Sequence, residues 1–238
     1  MKDNSVGDGI LTEVGDWSFS GKTSENFDKH VATSVPLYHE GHNLICNISD
    51  FFLTRNSLCY ELGCSTGRLI NNLAEHNKNK DNIKFIGIDI EKDMIKIASS
   101  NNSLDNVTFN CSDILDYDLE KSDLIVSYYT AQFLKGRERQ IYFDKIYSSL
   151  NWGGALLLFE KVRAPDARFQ DIYTSLYNDF KLDNDYSPEQ IYNKSKSLTG
   201  IMNPFSEDGN IDTMKRAGFV DITTIMKYIC FTGFIAIK

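Results

Sequence analysis

The stretch LCYELGCSTG, residues 58–67, decides the fold of this chain. Its first half is an apolar run of strand length, and its second half places Gly63 and Gly67 around small polar residues. Apolar residues then recur at helical spacing, at Leu69, Ile70 and Leu73. A strand that turns through glycines into a helix begins a βαβ unit, in which the backbone closely approaches a ligand or the next helix.

The alternation of strand and helix patterns continues along the chain. Apolar runs bounded by turn residues predict strands at 58–62, 83–89, 107–110, 123–129 and 155–160. Helical periodicity predicts helices over 66–77, 92–99 and 137–150. The residues NWGG (151–154) are predicted to form a turn. Strands separated by helices predict a parallel sheet with helices on both faces.

The pattern changes after residue 160. A helix is predicted over 165–181, a polar segment over 187–208 and a last helix over 210–217. Two apolar runs follow with almost no linker between them, so they must pair as an antiparallel hairpin. The predicted fold class is α/β and Rossmann-like: a mostly parallel seven-stranded sheet closed by that hairpin, with N-terminal helices and a helical insertion before the last helix.

Three parts are predicted along the chain. Residues 1–14 are polar and glycine-containing and are expected to be a flexible N-terminus. Residues 15–52 are expected to be an N-terminal helical cap, and residues 53–238 the ligand-binding domain. The insertion at 162–208 delays the return to the sheet, and long inserted segments often carry function.

Composition excludes several classes of protein. The formal net charge of the 238 residues is -8, which makes nucleic acid an unlikely partner, since its binding relies on clustered Lys and Arg. No apolar run has membrane length, and no signal sequence is visible, so we expect a cytoplasmic protein. Five scattered cysteines favour reduced thiols over disulfides, and no metal site is predicted.

Acidic residues indicate which ligand the glycine loop holds. The loop has neither the GxxxxGK[ST] pattern of triphosphate sites nor the GxGxxG pattern of dinucleotide sites. Glu61 lies within it, Asp89 ends the second strand and Asp113 follows the third. These carboxylates suit a cationic nucleoside and not a pyrophosphate. Three alternatives stay open: the glycines serve packing alone, Asp89 caps a helix, or Asp113 is a turn residue.

Motifs along most of the chain resemble the carboxy-S-adenosylmethionine synthase family, within the class I S-adenosylmethionine (SAM) methyltransferases. They run in order as GDWSF (15–19), SVPLY (34–38), ELGCSTG (61–67), GID (87–89), SDI (112–114), TAQFL (130–134), ERQ (138–140), KIYSSLNWGGALLLFEK (145–161), DFK (179–181) and AGF (217–219). The resemblance implies SAM as the cofactor, and a homodimer with 165–181 and 187–208 between the chains. Together with the residue analysis, it predicts cofactor binding by Tyr38, Glu61, Gly63, Cys64, Ser65, Gly67, Asp89, Ile90, Asp113, Ile114 and Tyr128.

The sequence departs from this family at two positions. Tyr128 stands where the family has Asn after the fourth strand, and Ser195, followed by Lys196, stands where the family has the Arg that reaches a carboxylate on the ligand. A lysine is a point charge and does not replace the guanidinium fork. The segment EKVRAPDARFQD (160–171) adds Arg163 and Arg168.

The leading hypothesis is therefore a SAM-dependent methyltransferase that acts on a small acidic metabolite. A base is needed if the acceptor is a hydroxyl, and the candidates for catalysis are Glu160, Tyr128 and Tyr129. The candidates for binding an acidic substrate are Arg163, Arg168, Lys194 and Lys196. Two alternatives stay open: a carboxy-SAM synthase that uses SAM and prephenate, and a SAM-binding protein without catalysis.

Overall fold

The computed structural model describes residues 4–238, and its centre is a seven-stranded sheet in the order β3-β2-β1-β4-β5-β7-β6. The first five strands are mutually parallel, and β7 runs antiparallel to both β5 and β6. The predicted fold class is confirmed. The strands are β1 Leu58–Leu62, β2 Lys84–Asp89, β3 Val107–Cys111, β4 Ser122–Tyr128, β5 Leu150–Lys161, β6 Asp221–Tyr228 and β7 Phe231–Ile237.

Helices cover both faces of this sheet. N-terminal and inserted helices lie over the carboxyl ends of its parallel strands. The helices are α1 Lys22–Glu25, α2 Phe27–Ser34, α3 Tyr38–Ser49, α4 Arg68–His76, α5 Lys92–Asn101, α6 Gly136–Ser149, α7 Ala167–Asp183, α8 Pro188–Ser197 and α9 Glu207–Ala217. A short 3-10 helix spans Ala131–Phe133. Within residues 4–238, no helix combines the length and apolar character that crossing a membrane requires.

Strand β5 is longer than predicted. Residues 151–154, predicted to be a turn, belong to the strand, which begins at Leu150. The end of the chain explains the difference, because the Gly153 N–H donates to the Lys238 carbonyl at 2.8 Å and the Lys238 N–H donates to the Gly154 carbonyl at 3.0 Å. Hydrogen bonds to a residue more than 80 positions away therefore hold these residues in the strand, although their glycines predicted a turn.

The polar segment 187–208 contains a helix that the sequence analysis did not predict. Helix α8 begins with a capping box: the Ser187 hydroxyl accepts from the Gln190 N–H at 3.2 Å, and the Gln190 side chain accepts from the Ser187 N–H at 3.0 Å. Proline at the first helical position favours the same start. These signals were present in the sequence as SPEQ, but the polarity of the segment masked them.

Residues 4–14, part of the N-terminus expected to be flexible, make packing contacts in the structure. Residues 1–3 lie outside the described residues, but Val6 and Ile10 are buried against Trp17, and Ser5 and Leu11 form an antiparallel bridge. Burial of these apolar side chains favours an ordered segment, because each removes apolar surface from water. The segment brings Asp8 within 3.0 Å of His30, which lines the cavity described below.

The two faces of strand β5 carry different side chains. Successive residues of a strand point to opposite faces. Phe159 packs in the cluster that includes residues of α3 and α4, and Leu158 packs in the cluster that includes residues of α6 and α9. The same alternation places Glu160 and Lys161 on opposite faces of the sheet, which decides the role of each.

Candidate active site

A cavity of about 1100 Å³ lies over the carboxyl ends of β1, β2, β4 and β5. This is the edge at which open α/β sheets bind their ligands. Its other walls come from α2, α7, α8 and the segment around Trp17. Small-molecule sites typically occupy roughly 300–1,000 Å³, so this cavity can hold a nucleoside cofactor together with a second small molecule.

The glycine loop forms the cofactor end of the cavity. Gly63 has φ of 78°, and its N–H donates to the Ile88 carbonyl at 2.7 Å. A Cβ at Gly63 would overlap the side chain of Thr130, which also lines the cavity. The absence of a side chain at Gly63 therefore leaves room for Thr130, and Gly63 itself lines the cavity, where a cofactor contact stays a prediction. Cys64 and Ser65 also line the cavity.

Gly67 has a different role. It has φ of 76°, and a Cβ there would meet the ring of Phe109 and the methyl group of Ala98. Gly67 is not part of the cavity wall. The predicted cofactor contact at Gly67 is therefore replaced by the packing alternative: the residue lets α4 begin close to β3 and α5.

Glu61 supplies a buried acidic group without a complete set of partners. Its side chain is 3% exposed, and its Oε2 atom has no hydrogen-bond partner among residues 4–238. Burial raises the pKa of the Glu61 carboxyl well above its usual value, and the nearby Asp89 raises it further. A cationic ligand group at this point would satisfy the oxygen and favour the ionised form. The ammonium group of an amino acid fits that description.

Asp89 lies at the end of β2, where the sequence predicted a ribose contact. Its Oδ2 accepts from the Ser65 N–H at 2.8 Å, and its Oδ1 accepts from the Glu91 N–H at 2.9 Å. Burial raises the pKa of Asp89, while these backbone donors lower it. Each oxygen keeps a second lone pair, so the oriented carboxylate can accept both hydroxyls of a ribose.

The adenine end of the predicted site follows β2 and β3. Ile90, Asp113 and Ile114 all line the cavity. The Asp113 Oδ1 accepts from the Leu115 N–H at 2.8 Å, so this residue is a turn residue as well as a wall residue. The two roles are compatible because the second carboxylate oxygen stays available for an amino group.

Three tyrosines, one from α3 and two at the end of β4, form part of the cavity wall. They are Tyr38, Tyr128 and Tyr129. The Tyr128 hydroxyl donates to the Tyr38 carbonyl at 2.7 Å, and the two rings lie 5.3 Å apart. Burial raises the pKa of Tyr128. A buried phenol that already donates its proton to a carbonyl is a poor base, so Tyr128 is better suited to shaping the site than to catalysis.

Tyr129 is the more available of the two candidate tyrosines. Its backbone is left-handed, with φ of 58°, and is held by an N–H that donates to the Phe159 carbonyl at 2.8 Å. Its hydroxyl is buried and has no hydrogen-bond partner among residues 4–238. The Tyr129 hydroxyl can therefore donate to a ligand.

Glu160, predicted as a catalytic base, lies outside the cavity. It is fully buried on the opposite face of the sheet, where its Oε2 accepts from Arg139 of α6 at 2.9 Å and its Oε1 from the Gln132 N–H at 3.2 Å. Burial raises its pKa to about 7, and Arg139 acts in the opposite direction. Strand alternation explains the error, since it directs Glu160 away from the ligand and Lys161 towards it.

Two of the four predicted substrate-binding cations line the cavity. Arg163 and Lys194 are in its wall, and so is Ser195. Arg168 is exposed beside its neighbour Phe169, and Lys196 is exposed over the Tyr192 ring at 4.6 Å. Neither Arg168 nor Lys196 is part of the wall.

The sequence analysis missed two lysines that line the cavity, Lys161 and Lys181. Their amines lie over the same ring, that of Tyr177, at 4.2 and 4.3 Å from its centroid. Lys181 is 6% exposed. Within residues 4–238, no carboxylate is paired with either amine. Strand alternation at 158–161 could have predicted Lys161, but Lys181 gave no local signal, because its burial depends on how α7 packs.

Burial lowers the pKa of both lysines, which makes their amines easier to deprotonate. It lowers the pKa of Lys181 to about 8, and Lys161 lowers it further. It also lowers the pKa of Lys161. Two confined cations without counter-charges favour an anionic ligand, which would restore their ordinary pKa values. We call Lys161, Lys181 and Tyr177 the lysine wall.

The cofactor end fits SAM on these observations. The unpartnered Glu61 oxygen suits its ammonium, Gly63 lines the cavity between the two carboxylates, and Asp89 suits its ribose. No cluster of three or more His, Cys, Asp or Glu able to hold a metal ion occurs in the described part of the chain. The described residues thus form a two-part cavity, with an acidic cofactor end and a cationic lysine wall.

Several solved structures with a similar fold are methyltransferases. Human N-acetylserotonin methyltransferase in complex with SAM matches with a TM-score of 0.60 at 14% identity, over 91% of this chain and 55% of that chain. The CurJ carbon methyltransferase matches with a TM-score of 0.63 at 13% identity, over 90% of this chain and 59% of that chain. The chain thus spans little more than half the length of these proteins, and the likeness concerns the fold. The fold is that of the class I SAM-dependent methyltransferases.

Sequence relatives define the family within that class. The model of the methyltransferase-domain family matches residues 54–215. Carboxy-S-adenosyl-L-methionine synthase from Staphylococcus epidermidis is 35% identical over 93% of this chain and 97% of its own length, and that from Campylobacter lari is 33% identical over 93% and 94%. The chain belongs to the carboxy-S-adenosyl-L-methionine synthase family. The predicted family and the predicted cofactor, SAM, are confirmed.

Proposed function

We propose that this protein transfers the methyl group of SAM to a small acidic metabolite. The observation that carries the proposal is the lysine wall, where two confined amines lack carboxylate partners among residues 4–238. Each carboxylate of an acceptor can pair with such an amine, and the Tyr177 ring beneath restricts how both amines are oriented.

Bound SAM supplies a methyl group that is already activated on a sulfonium. The protein therefore has to align the acceptor with that methyl group and exclude water. Glu61 and Asp89 hold and orient the cofactor, and the lysine wall holds the acceptor by its negative charge. Tyr38 and Tyr128 provide aromatic surface between the two ends, and a ring face near a sulfonium is favourable through cation–π attraction.

The names of the relatives favour a second candidate function, the synthesis of carboxy-SAM from SAM and prephenate. Prephenate is also acidic, so the lysine wall suits it too. Ser195 lines the cavity at the position where the family's arginine is expected, and it cannot pair with a carboxylate as a guanidinium does. This departure is the reason for preferring methyl transfer.

One experiment decides between the candidates. The protein is incubated with SAM alone, with SAM and prephenate, and with SAM and a panel of hydroxy, amino and dicarboxylic acids, and the products are identified by mass spectrometry. S-adenosylhomocysteine together with a methylated acid supports our proposal. A carboxylated sulfonium formed from prephenate would overturn it in favour of the second function. Calorimetric binding of SAM without any product would leave a binding protein without catalysis.

A Lys181→Met variant is expected to raise the KM for the acidic acceptor by about tenfold or more, because charge-assisted pairs contribute roughly 1.5–3 kcal/mol. The affinity for SAM and the melting temperature should stay the same or rise, since Met removes a buried charge. The acceptor KM of the unaltered protein should also rise with pH above about 8, as the Lys181 amine loses its proton. Steady-state kinetics check both effects.

The matched control is Lys196→Met, which removes an exposed lysine outside the cavity wall. Its acceptor KM should equal that of the unaltered protein. Equal KM values for the Lys181 and Lys196 variants would contradict the assignment of the lysine wall.

We also propose that the protein is a homodimer that associates through α7. Three of the apolar side chains on this helix are strongly exposed at helical spacing: Phe169 at 42%, Ile172 at 47% and Leu176 at 48%. A contiguous apolar face of this kind marks an interaction site. Leu176→Glu is expected to shift the protein from dimer to monomer in sedimentation velocity. Val220→Glu, which alters an exposed apolar residue elsewhere, should leave the dimer intact.

A further inference from the structure

Lys194 differs from the other lysines of the cavity because its amine has two polar partners. The Nζ atom lies 2.6 Å from His30 Nε2 and 2.6 Å from Ser34 Oγ, and both partners belong to α2. Lys194 and His30 are both almost completely buried, and both line the cavity together with Ser34. The orientation of these hydrogen bonds determines which face of the amine the cavity meets.

Asp8 fixes the tautomer of His30. The His30 Nδ1 atom lies 3.0 Å from the Asp8 Oδ2, which as a carboxylate oxygen can only accept. Hydrogen bonds from Lys29 and His30 hold the pKa of Asp8 below its ordinary value, against the effect of burial. Nδ1 therefore carries the ring hydrogen, and Nε2 presents a lone pair. Lys194 must donate a hydrogen to it.

Ser34 also has to accept its hydrogen bond with Lys194. Its hydroxyl donates its one hydrogen to the His30 carbonyl at 2.7 Å, so it accepts from the Tyr186 hydroxyl at 2.7 Å and from Lys194. Lys194 thus donates both of its hydrogen bonds. The remaining tetrahedral position of its nitrogen has no partner among residues 4–238. In a neutral amine, that position is the lone pair.

The surroundings favour the neutral amine. The groups that face Lys194 come from every element packed against it: Lys161 from β5, Lys181 from α7, Trp17 and Tyr186 under the amine at 5.3 and 5.5 Å, and Asp8 behind His30. Burial lowers the pKa of Lys194 to about 7, Lys181 and Lys161 lower it further, and Asp8 raises it. Burial also lowers the pKa of His30 to about 4, which keeps the ring neutral.

We propose that Lys194 is the base that takes the proton of the acceptor, and that His30 and Asp8 position it. This inference rests on the proposed methyl transfer. The acceptor carries a hydroxyl or amino group and is held by its carboxylate at Lys161 and Lys181. Its proton passes to Lys194 Nζ, and its freed electron pair forms the bond to the methyl carbon. The sulfur it displaces keeps the electrons of the broken carbon–sulfur bond and becomes neutral.

The three lysines thus divide two tasks. Lys161 and Lys181 bind by charge, whereas Lys194 acts by its lone pair. The division predicts opposite kinetic signatures. Lys194→Met should lower kcat by about 100-fold or more, the usual contribution of a general base, while the acceptor KM changes by less than about threefold. Lys181→Met, in contrast, should act mainly on KM.

An NMR titration measures the pKa of the Lys194 amine directly. Lysine labelled with carbon-13 at Cε is incorporated into the full chain, and its NMR signals are followed with pH in the presence of S-adenosylhomocysteine. The Lys194 signal is the one that Lys194→Arg removes. A titration midpoint near 7 is expected; a midpoint above about 9.5 would mean a charged amine at neutral pH and would overturn the proposal.

Asp8→Asn tests the relay, meaning the hydrogen bonds that link Asp8 through His30 to Lys194, without altering Lys194. The amide can donate to His30 Nδ1, which moves the ring hydrogen to Nε2 and engages the Lys194 lone pair. A wrong imidazole tautomer is costly for catalysis. We expect a lower titration midpoint and a loss of kcat of about tenfold or more, without loss of S-adenosylhomocysteine binding. An unchanged midpoint and kcat would contradict the relay.

The outcomes separate the two proposals. Methyl transfer with unchanged kcat in Lys194→Met would reject Lys194 as the base and keep the proposed function. Failure of the unaltered protein to methylate any acid would reject both. If Lys194→Met does not fold, the titration of the unaltered protein and the Asp8→Asn variant still decide the matter.

Discussion

Arg139→Met is expected to lose about 3–5 kcal/mol of the free energy of unfolding, the usual cost of removing one partner of a buried ion pair. Arg139 and Glu160 are both fully buried, and their charged groups lie 2.9 Å apart. Arg139 also donates to the carbonyl of Ala131 and to the side chain of Asn210. Its removal leaves all three acceptors with one donor fewer in a region without water to replace it.

The loss should depend on pH. Burial already raises the pKa of Glu160 to about 7, and removal of Arg139 raises it further. A carboxyl whose pKa is higher in the folded than in the unfolded state binds more protons when folded, so stability falls as pH rises. The difference in the free energy of unfolding between Arg139→Met and the unaltered protein should therefore be larger at about pH 8 than at about pH 5. Urea unfolding at the two pH values measures it.

Two further variants make this prediction specific. Arg137→Met on the same helix removes an exposed arginine that is 79% accessible, and it should change stability by less than about 1 kcal/mol. The double variant Arg139→Met/Glu160→Leu should recover most of the loss, because it removes the unpaired buried charge. A double variant no more stable than the single one would show that the pair is not the cause.

Gly63→Ala is expected to weaken SAM binding by about 100-fold or more. Backbone strain of an alanine at φ of 78° costs about 1–2 kcal/mol, and overpacking against Thr130 costs roughly 1–3 kcal/mol in addition. Relief of either strain moves the loop out of line with Asp89, to which the Ser65 N–H donates at 2.8 Å. Isothermal titration with S-adenosylhomocysteine measures the loss.

Gly136→Ala is the matched control for this substitution. Gly136 is the first residue of α6, and a Cβ there would meet no atom within 4 Å. The control should bind S-adenosylhomocysteine as the unaltered protein does and should be equally or more stable, since alanine favours the helix. Equal affinity of the Gly63 and Gly136 variants would contradict the link between the conformation at Gly63 and cofactor binding.

Most of the parallel sheet was predictable from sequence, because each strand shows a local apolar pattern. The cofactor end was predictable for a related reason. Gly63 directly follows β1 and Asp89 is the last residue of β2, and parallel strands end at the same edge of a sheet. Sequence position alone therefore brings these residues together. Helix α8 was missed although its capping box was visible, and residues 151–154 were misassigned because their partner is the distant C-terminus.

The structure places Glu160 away from the cavity for a reason that lies within one strand. Glu160 and Lys161 are neighbours in sequence at the end of β5, but alternation places them on opposite faces of the sheet. Which face meets the ligand depends on the helices that cover each one. Helix α6 brings Arg139 to Glu160, and α7 brings Tyr177 to Lys161.

The sequence by itself determined the alternation of strands and helices, the glycine turn and the carboxylates at the ends of the parallel strands. The tertiary structure alone decided which side chains line the cationic end of the cavity. Asp8, His30 and Lys194 come from segments up to 186 residues apart in the numbering of the chain, and they meet because the insertion folds back over the N-terminal helices. Local spacing sets the direction of a side chain within its own element, but only long-range packing decides which elements share a cavity and which lysines lose their contact with water.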